Sequence, residues 1–251
     1  MMHKLTATII TLNEASRIAR CIESVQFADE VVVVDSGSSD DTCRIAQEMG
    51  CRVITQEWLG YGGQKQFAVD LASNDWVLCI DADEVVTSEL AASIKQVMQR
   101  PDAEAYSFPR RNYFLGNPLR YGEGYPDRSL RLFNRKKAGW TQDLVHEAVK
   151  CEGRIQKLEG DLNHFSEETI SQYLAKQNKY TQIQAEDMFR RGKKVGLSKI
   201  LVSPIIRFFK FYILRRGFLD GMPGFVHIVI GCMNSFMKYV KLYELRSKSR
   251  D

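Results

Sequence analysis

The chain lacks the sequence features of several large protein classes. Its six cysteines stand singly, and no C-x-x-C pair predicts a zinc site or a disulfide framework. No stretch offers the roughly 20 uninterrupted apolar residues that a membrane-spanning helix needs. The first apolar run ends at Asn13 and Glu14, too early for a secretory signal. We therefore expect reduced thiols and a cytoplasmic location.

A large charge imbalance, repeats and low-complexity segments are also missing. The 251 residues include 35 Lys and Arg against 31 Asp and Glu, a net charge of only +4. The first part of the chain has no cluster of basic and aromatic residues of the kind that binds nucleic acid, so we do not expect nucleic acid as a partner. With 44% hydrophobic residues, the chain is long enough to bury a full core, as one large domain or as one domain plus an extension.

The first hundred residues alternate between strand and helix patterns. Apolar runs at 5–11, 30–35, 51–56 and 75–81 are typical of strands in a parallel sheet. Segments with helical spacing, at 14–25, 40–50 and 62–73, lie between them. This order predicts an α/β fold with a mostly parallel sheet, helices on both faces, and ligands at the carboxyl ends of the strands.

From about residue 101 the alternation stops. Segments 105–116, 128–140 and 144–149 predict shorter, irregular strands. Segment 166–194 predicts a long helix with acidic residues at its start and basic residues at its end. We place one domain at 1–194 and an amphipathic helical extension at 195–251.

Two of the predicted parallel strands end in aspartate. Asp35 ends "VVVVD", and Asp81 ends "VLCID", with Asp83 and Glu84 directly after it. In an extended segment Asp81 and Asp83 would point to the same side, where their repulsion costs stability unless a cation lies between them. A divalent metal, Mn²⁺ or Mg²⁺, shared with a bound diphosphate would be a suitable cation. Asp35 taken alone has a structural alternative, as a cap of the next helix.

Three segments resemble the inverting family-two glycosyltransferases of the GT-A fold: "TATIITLNEASRIARCIESV", "EVVVVDSGSSDDT" and "ASNDWVLCIDADEVV". The segments "LGYGGQKQFAVDLAS", "RLFNRKKAGW", "LVHEAV" and "LNHFSEETI" are similar to the bacterial lipopolysaccharide-core β-glucosyltransferases within that family. The resemblance implies a Rossmann-like GT-A catalytic domain, a nucleotide-sugar donor, a divalent metal bound at "DAD", and inversion at the anomeric carbon.

An inverting transfer needs a general base that takes the proton of the acceptor hydroxyl. The order of elements in GT-A enzymes implies Glu147 as this base and "RYGEGYPD" as a glycine-rich loop near the donor. Asp127 is the alternative base, and Glu147 would then be a surface or ion-paired acid. The resemblance also implies His164 as a metal ligand beside Asp83 and Asp81, with a cap of the following helix as its alternative.

The remaining candidate residues are expected to contact the substrates. Asp35 would contact the uracil or ribose, Asp81 the metal or the ribose, and Arg128 or Arg131 the diphosphate. The other candidates are Asn13, Glu14, Gln64, Lys65 and His146, the last of which would orient Glu147 or contact the acceptor. For the charged candidates at element ends, simple solvation remains the alternative.

The segment 201–250 mixes apolar and aromatic side chains with Arg207, Lys210, Arg215, Arg216, Lys238 and Lys241. This composition predicts an amphipathic segment on an anionic membrane surface, where a glycolipid acceptor would be met. The alternative is a helical hairpin packed on the catalytic domain or on a second copy in a homo-oligomer. We therefore expect a peripheral protein on the inner face of the cytoplasmic membrane.

These features predict a hexosyltransferase that moves glucose, the favoured sugar, from UDP-glucose to a lipopolysaccharide-core or related glycolipid acceptor. Another acceptor, such as capsule, O-antigen or peptide, stays open, and so does a nucleotide-sugar-binding module without catalysis. A nucleotidyltransferase is disfavoured, because "LNEAS" rather than a glycine-rich basic loop follows the first strand. The sequence alone does not determine the sugar, the acceptor or the linkage.

Overall fold

The computed structural model describes residues 3–141, 147–165 and 169–249. Their contacts divide the chain into two compact units. The first unit contains residues up to 110 together with 127–165, and the second contains 111–126 together with the residues after 165. The expected domain boundary at 194/195 stays a prediction, and the contacts place the helix that precedes it in the second unit.

The first unit begins with four parallel strands, β1 (Leu5–Thr11), β2 (Glu30–Asp35), β3 (Arg52–Thr55) and β4 (Trp76–Asp81). Helices α1 (Ile18–Ser24), α2 (Thr42–Glu48) and α3 (Tyr61–Asp70) connect them. The strands lie in the order β3-β2-β1-β4. The predicted strand–helix alternation is therefore confirmed, and Gly50 follows α2 with a φ of +80°, as expected of a residue that ends a helix.

The sheet continues with strands that are mainly antiparallel to their neighbours. They are β5 (Glu84–Val86), β6 (Ala105–Phe114), β7 (Asn117–Pro118), β8 (Asp127–Asn134), β11 (Ile155–Lys157) and β12 (Leu162–Phe165), with α4 (Ser88–Gln99) after β5. The path runs β4-β8-β6-β12-β5, with β7 and β11 paired to β6. A separate two-stranded sheet contains β9 (Ala138–Trp140) and β10 (Val149–Cys151). The predicted α/β class is confirmed, as a mixed sheet.

The core of the first unit explains the continuous apolar runs of the sequence. All seven residues of β1 are buried. Ile9 and Leu78 from the sheet pack with Ile22 of α1 and Ile94 of α4 in one cluster. Strands covered on both faces have no polar face, so their sequences show no alternation. The six cysteines are free thiols.

The second unit is mainly helical, and it also contains β7 and the last residues of β6. It contains α5 (Ile170–Arg190), α6 (Leu197–Phe208), a π-helix (Phe209–Leu214), a 3₁₀ helix (Gly217–Asp220) and α7 (Gly221–Lys248). Both α5 and α6 pack against α7. Thr169 and Gln172 form a capping box at the start of α5. The long helix predicted at 166–194 is confirmed, but it begins later, at Ile170, and ends earlier, at Arg190. Among the described residues, no helix combines the length and apolarity that a bilayer crossing requires.

Residues 120–126 of "RYGEGYPD", which the resemblance implied as a donor loop, are tied to the carboxyl-terminal helices of the second unit. The Asp220 carboxylate accepts the backbone N–H groups of Arg120 and Tyr121. Gly122 N–H donates to Arg215 O over 2.9 Å. A Cβ on Gly122 would lie 3.2 Å from Gly217 Cα, so the absence of a side chain there permits this close approach.

Candidate active site

The carboxyl ends of three neighbouring strands lie in one row. In the strand register, Thr11 is opposite Asp35, and Ile10 is opposite Asp81. The strand order reverses between β1 and β4, which is where open α/β sheets bind ligands. The two predicted aspartates therefore lie at the same edge of the sheet, on strands β2 and β4, with β1 between them.

The expectation of an extended "DAD" segment is wrong. Strand β4 ends at Asp81, Ala82 and Asp83 form a turn, and β5 begins at Glu84. The Glu84 carboxylate accepts the Asp81 backbone N–H over 2.9 Å, and this bond closes the turn. Within the protein, Asp81 and Asp83 consequently have different partners.

Asp81 is neutralised by two cations of the protein itself. Lys65 Nζ of α3 lies 3.1 Å from Asp81 Oδ1, and Arg131 Nη2 of β8 lies 3.4 Å from Asp81 Oδ2. Burial opposes ionisation of this carboxyl, but Lys65 and then Arg131 outweigh it, and the pKa of Asp81 lies well below its usual range. Asp81 is therefore ionised at neutral pH.

Glu84 is a buried structural carboxylate. Its side chain is fully buried, Arg110 Nε lies 2.9 Å from Glu84 Oε1, and Arg131 Nη2 lies 3.4 Å from the same oxygen. Burial and the two carboxylates, Glu84 and Asp81, act on Arg131 in opposite directions, and the pKa of Arg131 is raised as a result. Arg131 therefore bridges Glu84 and Asp81.

Asp83 is the carboxylate of this group that has no lysine or arginine partner among the described residues. Its Oδ2 lies 3.1 Å from Nε2 of His164, and about a fifth of each side chain is exposed, 24% and 15% respectively. His164 lies opposite Glu84 in the β12–β5 register, so this strand pairing places it beside Asp83. The alternative role of His164 as a helix cap is wrong, because Thr169 caps α5.

The donor atoms of this pair suit a divalent metal. Carboxylate oxygen and imidazole nitrogen are both ligands of Mn²⁺, and carboxylate oxygen also suits Mg²⁺. Within the described part of the chain, no group of three or more His, Cys, Asp or Glu side chains is arranged to hold a metal ion. Asp83 and His164 would thus be the protein's contribution, while Asp81 is held by Lys65 and Arg131.

A β-bulge directs Arg131 into the site. The β6–β8 register pairs Tyr106 with Leu132 and Ser107 with Leu130, which leaves Arg131 as the extra residue. Such bulges re-aim a side chain. Arg131 Nη1 is buried and has no hydrogen-bond acceptor among the described residues. This atom is available to an anionic ligand.

Trp140 was not predicted as a site residue. Its ring lies 4.9 Å from Lys65 Nζ and 5.3 Å from Arg131 Cζ, so one indole contacts both cations. Its Nε1–H donates to Cys79 Sγ over 3.5 Å. Arg110 was missed as well. No local pattern in the sequence indicates either residue, because both reach the site through strand pairing.

The structure places the two candidate bases differently. Glu147 lies in the β9–β10 connection, whose ends are tied by Thr141 N–H donating to Ala148 O. A Cβ on Gly62, in the first turn of α3, would lie 3.3 Å from Glu147 Cβ. Asp127 begins β8, and its carboxylate is 3.6 Å from Arg110 Nη1. No ion pair of Glu147 is found among the described residues, whereas Asp127 has one.

The candidates around Asp35 form a hydrogen-bonded loop. Asp35 is buried and accepts the N–H groups of Gly37 and Ser38 at 2.9 and 2.8 Å. It does not cap α2, whose N-cap residue is Asp41. Asn13 Oδ1 accepts the N–H of Ser39 over 2.8 Å.

Two further candidates have partners within the protein. Glu14 forms an ion pair with Arg17 over 2.5 Å. Gln64 is fully buried and joins Ser36 Oγ to the backbone at Gln56 and Leu59. Both side chains are therefore held by contacts within the protein.

Two candidates are not brought into the site by the described structure. Arg128 is exposed on β8, where it lies opposite Pro109, and it forms no ion pair with a described residue. His146 lies outside the described residues. Of the two arginines proposed for the diphosphate, Arg131 is therefore the one that lies beside Asp81.

In the comparison with protein families, the model of glycosyl transferase family 2 matches residues 6–157. These residues include β1 from Thr6 onward, β2 to β4 and the Asp83 turn. A glycosyltransferase of Rickettsia felis is 37% identical over 266 residues, covering 100% of this chain and 93% of that protein. LpsC of Rhizobium meliloti, a lipopolysaccharide core biosynthesis glycosyltransferase, is 32% identical and covers 96% of this chain and 92% of its own.

Among solved structures, one similar fold is that of PcManGT, a mannosyltransferase of Pyrobaculum calidifontis in complex with GDP-Man and Mn²⁺. The TM-score is 0.56 at 15% sequence identity, with 97% of this chain and 88% of that chain covered. At this identity the similarity concerns the fold, which confirms the expected GT-A architecture.

Proposed function

This chain belongs to glycosyl transferase family 2, and from this premise we propose that it transfers a hexose from a nucleotide-sugar to a glycolipid. The chain is thus a transferase enzyme. The finer assignment is UDP-glucose as the donor and a lipopolysaccharide-core glycolipid as the acceptor. The name of the Rhizobium relative supports this acceptor class.

The observation behind the proposal is the separation of the acidic residues by their partners. Asp81 and Glu84 are neutralised by Lys65, Arg110 and Arg131, while Asp83 contacts only His164 among the described ion pairs. A carboxylate beside an imidazole suits a divalent metal, and the buried cations next to it suit a diphosphate. A nucleotide-sugar bound with a metal has both. PcManGT, which shares the fold, was solved with a nucleotide-sugar and Mn²⁺.

The residues of the chain would divide the chemistry as follows. Asp83 and His164 would hold a divalent metal, which when bound would offset the negative charge that develops on the leaving diphosphate. Arg131, through its unpaired Nη1, and Lys65 would add positive charge at the same place. Because Asp81 and Glu84 already hold Lys65 and Arg131 in place, these two cations need no reorganisation during the reaction.

Glu147 is the proposed general base. The acceptor oxygen would attack the anomeric carbon, the bond from that carbon to the diphosphate oxygen would break, and the acceptor proton would pass to the Glu147 carboxylate. Attack from the side opposite the leaving group inverts the configuration. The position of Glu147 beside the first turn of α3, from which Lys65 projects, supports this role.

The nucleoside would bind at the adjoining strand ends. Thr11 Oγ1 is buried and has no hydrogen-bond partner among the described residues, and it lies between Asp35 and Asp81 in the row of strand ends. We assign the base and ribose to this place, bounded by the loops that Asn13 and Asp35 hold together.

The test is manganese-dependent binding of UDP. Asp83→Ala should abolish transfer and remove the thermal stabilisation that UDP and Mn²⁺ give together. Asp75→Ala, just before the other end of β4, where Asp75 pairs with Lys136 on the surface, should keep both. Native-like stabilisation of Asp83→Ala by UDP and Mn²⁺ would show that the metal is bound elsewhere. Binding without any transfer or donor hydrolysis in the native chain would favour the non-catalytic module.

The second partner that we propose is an anionic membrane surface on the inner face of the cytoplasmic membrane. In the second unit, Leu201, Ile205 and Ile206 of α6 and Leu214 of the π-helix have exposures of 57%, 55%, 61% and 78%. Between residues 190 and 241 the chain has eleven Lys and Arg and a single acid, Asp220. Apolar side chains surrounded by basic ones suit the interface of an anionic bilayer.

A further inference from the structure

The second unit contains a polar cavity that the glycosyl-transfer site does not use. Its volume is about 220 Å³, and it lies between α5, α7, the residue Arg207 of α6 and Glu123. Ligand cavities for drug-sized molecules are commonly about 300–1,000 Å³. This cavity therefore suits one ring-sized group rather than an extended chain.

Two facing helices line the cavity with the same spacing. From α5 come Tyr173, Gln177, Tyr180, Thr181 and Gln184, and from α7 come His227, Gly231, Asn234, Ser235 and Lys238. Each set follows the pattern i, i+4, i+7, i+8, i+11, which is one face of a helix. Faces with which helices pack are ordinarily apolar. Here they are mainly polar, so packing alone does not explain their composition.

The wall formed by α7 depends on a glycine. A Cβ on Gly231 would lie 2.6 Å from Glu123 Oε2 and 3.2 Å from Arg207 Nε. Glu123 and Arg207 form an ion pair at this place. Glycine weakens the interior of a helix, and here its absence of a side chain admits the ion pair to the surface of α7. The cavity wall is thus built by a specific contact.

The hydrogen-bonding groups favour a neutral polyhydroxyl ligand. Asn234 Nδ2 donates to Gln177 Oε1 over 2.7 Å, which leaves Gln177 Nε2 as a donor and Asn234 Oδ1 as an acceptor with no partner among the described residues. A sugar hydroxyl both donates and accepts, so it can pair with both groups. Glu123 and Arg207 offset each other's charge, and Lys238 adds one positive charge to the lining, so inorganic phosphate is the alternative ligand that the experiment tests.

We infer that this cavity binds a single neutral hexose ring, as a sugar unit of the acceptor. The tyrosine rings would contact the apolar face of the ring, and the amides would bind its hydroxyls. The identification of the ring with the acceptor rests on the proposed function, whereas the cavity itself does not. A sugar site in the unit whose apolar face we assign to the membrane would hold the head of a membrane-bound glycolipid.

The experiment uses the full chain without nucleotide or metal. Methyl glycosides of glucose, galactose, mannose and N-acetylglucosamine are tested by saturation-transfer NMR, with inorganic phosphate as the anionic probe. A dissociation constant of about 1 mM is expected, since roughly a dozen non-hydrogen atoms support no tighter binding at ordinary ligand efficiency. Gln177→Leu should weaken binding of the favoured glycoside at least tenfold.

Matched variants locate the binding. Gln182→Leu, the same substitution on the same helix, alters a residue that bonds Glu186 and does not line the cavity, so it should bind like the native chain. Asp83→Ala should also bind the glycoside normally, while losing UDP with Mn²⁺. Asn234→Ala is the second cavity variant if Gln177→Leu does not fold.

Three results would overturn the inference. They are no binding of any glycoside, equal binding by the cavity variants and Gln182→Leu, and competition by phosphate, which would indicate an anion site. Each of these results leaves UDP and Mn²⁺ binding by the native chain unaffected. Failure of the sugar site is thus distinguishable from failure of the proposed transferase function.

Discussion

At the scale of single residues, neighbouring acids in the chain have different roles because their partners differ. Asp81, Asp83 and Glu84 lie within four positions, yet Lys65 and Arg131 neutralise the first, His164 contacts the second, and Arg110 with Arg131 neutralises the third. A buried carboxylate without a cation is costly. The pairing therefore decides which acid is structural and which is available to a metal.

Glu84→Ala should destabilise the first unit strongly. Removing the carboxylate leaves Arg110 and Arg131 close together and partly or fully buried without their shared counter-charge, a change that costs about 3–5 kcal/mol. Urea unfolding followed by tryptophan fluorescence measures this change. Glu57→Ala, on an exposed connecting segment, is the control and should stay within about 0.5 kcal/mol. An unchanged midpoint for Glu84→Ala would mean that the ion-pair group adds nothing to stability.

Glu147→Gln should reduce sugar transfer by a factor of about 10² or more, the usual effect of losing a general base. Binding of UDP with Mn²⁺ should persist, because Glu147 is not assigned to either ligand. Asp127→Asn, at a residue already paired with Arg110, should lose less activity. Steady-state kinetics of both variants compare the two acids. Near-native activity of Glu147→Gln beside an inactive Asp127→Asn would assign the base to Asp127.

At the scale of elements, strand pairing rather than local sequence assembles the site. The β12–β5 register brings His164 to Asp83, and the bulge in β8 turns Arg131 toward Asp81. Helix α3 adds Lys65, whose ammonium lies over Trp140 of β9. Four elements that are far apart in the chain therefore meet at the carboxyl end of β4.

Helix α6 should be the membrane-contacting element. Leu201→Glu with Ile205→Glu should reduce flotation with anionic liposomes, because each substitution replaces an exposed apolar side chain with a charge of the membrane's own sign. Raising the salt concentration should weaken binding of the native chain as well. Ile155→Glu, at an exposed apolar residue of the first unit, should float normally.

Point substitutions are preferable here to deletion of the residues after 200. Such a deletion would remove Ile230, which packs with Phe114 and Leu119 in the core of the second unit. Flotation of the Leu201→Glu, Ile205→Glu variant to the same extent as the native chain, with circular dichroism unchanged, would contradict membrane contact through α6.

At the scale of the whole molecule, charge and aromatic residues are distributed unevenly. The basic stretch 190–241 contrasts with an overall net charge of only +4, so the remaining residues together are acidic. All three tryptophans, Trp58, Trp76 and Trp140, lie in the first unit. Tryptophan fluorescence therefore reports on the first unit, while far-ultraviolet circular dichroism reports on both.

The second unit should lose stability in mild acid. Burial, and next the positive charge of Arg207, lower the pKa of His227 to about 4 in the folded chain, against the opposing effect of Asp220. The unfolded chain binds this proton near pH 6.5. Protonation of His227 therefore leaves the free energy of unfolding unchanged above about pH 6.5. As the pH drops from 6.5 toward 4 the free energy of unfolding falls, and at pH 5 the loss is roughly 2 kcal/mol.

Urea titrations at pH 7 and pH 5 measure this effect. The part of the circular dichroism change that tryptophan fluorescence does not follow should shift to lower urea at pH 5, and His227→Phe should remove most of the shift. The tryptophan transition reports the first unit and serves as the internal control. An equal shift in His227→Phe would show that other groups cause the acid sensitivity.

The sequence by itself determined the parallel half of the sheet and the position of Asp35 and Asp81 at its strand ends. Buried strands need continuous apolar residues, and polar groups at their carboxyl ends face a crevice, so both features are local. The resemblance to family two followed from the same segments, and the match over residues 6–157 confirms it.

Only the tertiary structure decided which acids are neutralised by Lys and Arg and which one, Asp83, contacts His164 instead. The turn at Ala82 and Asp83, the bulge at Arg131, and the meeting of Trp140 with Lys65 depend on pairing between distant strands. The polar faces of α5 and α7 likewise acquire meaning only when the two helices are opposed. Ion pairs and cavities arise from distances between residues remote in the chain, and spacing along the sequence does not contain those distances.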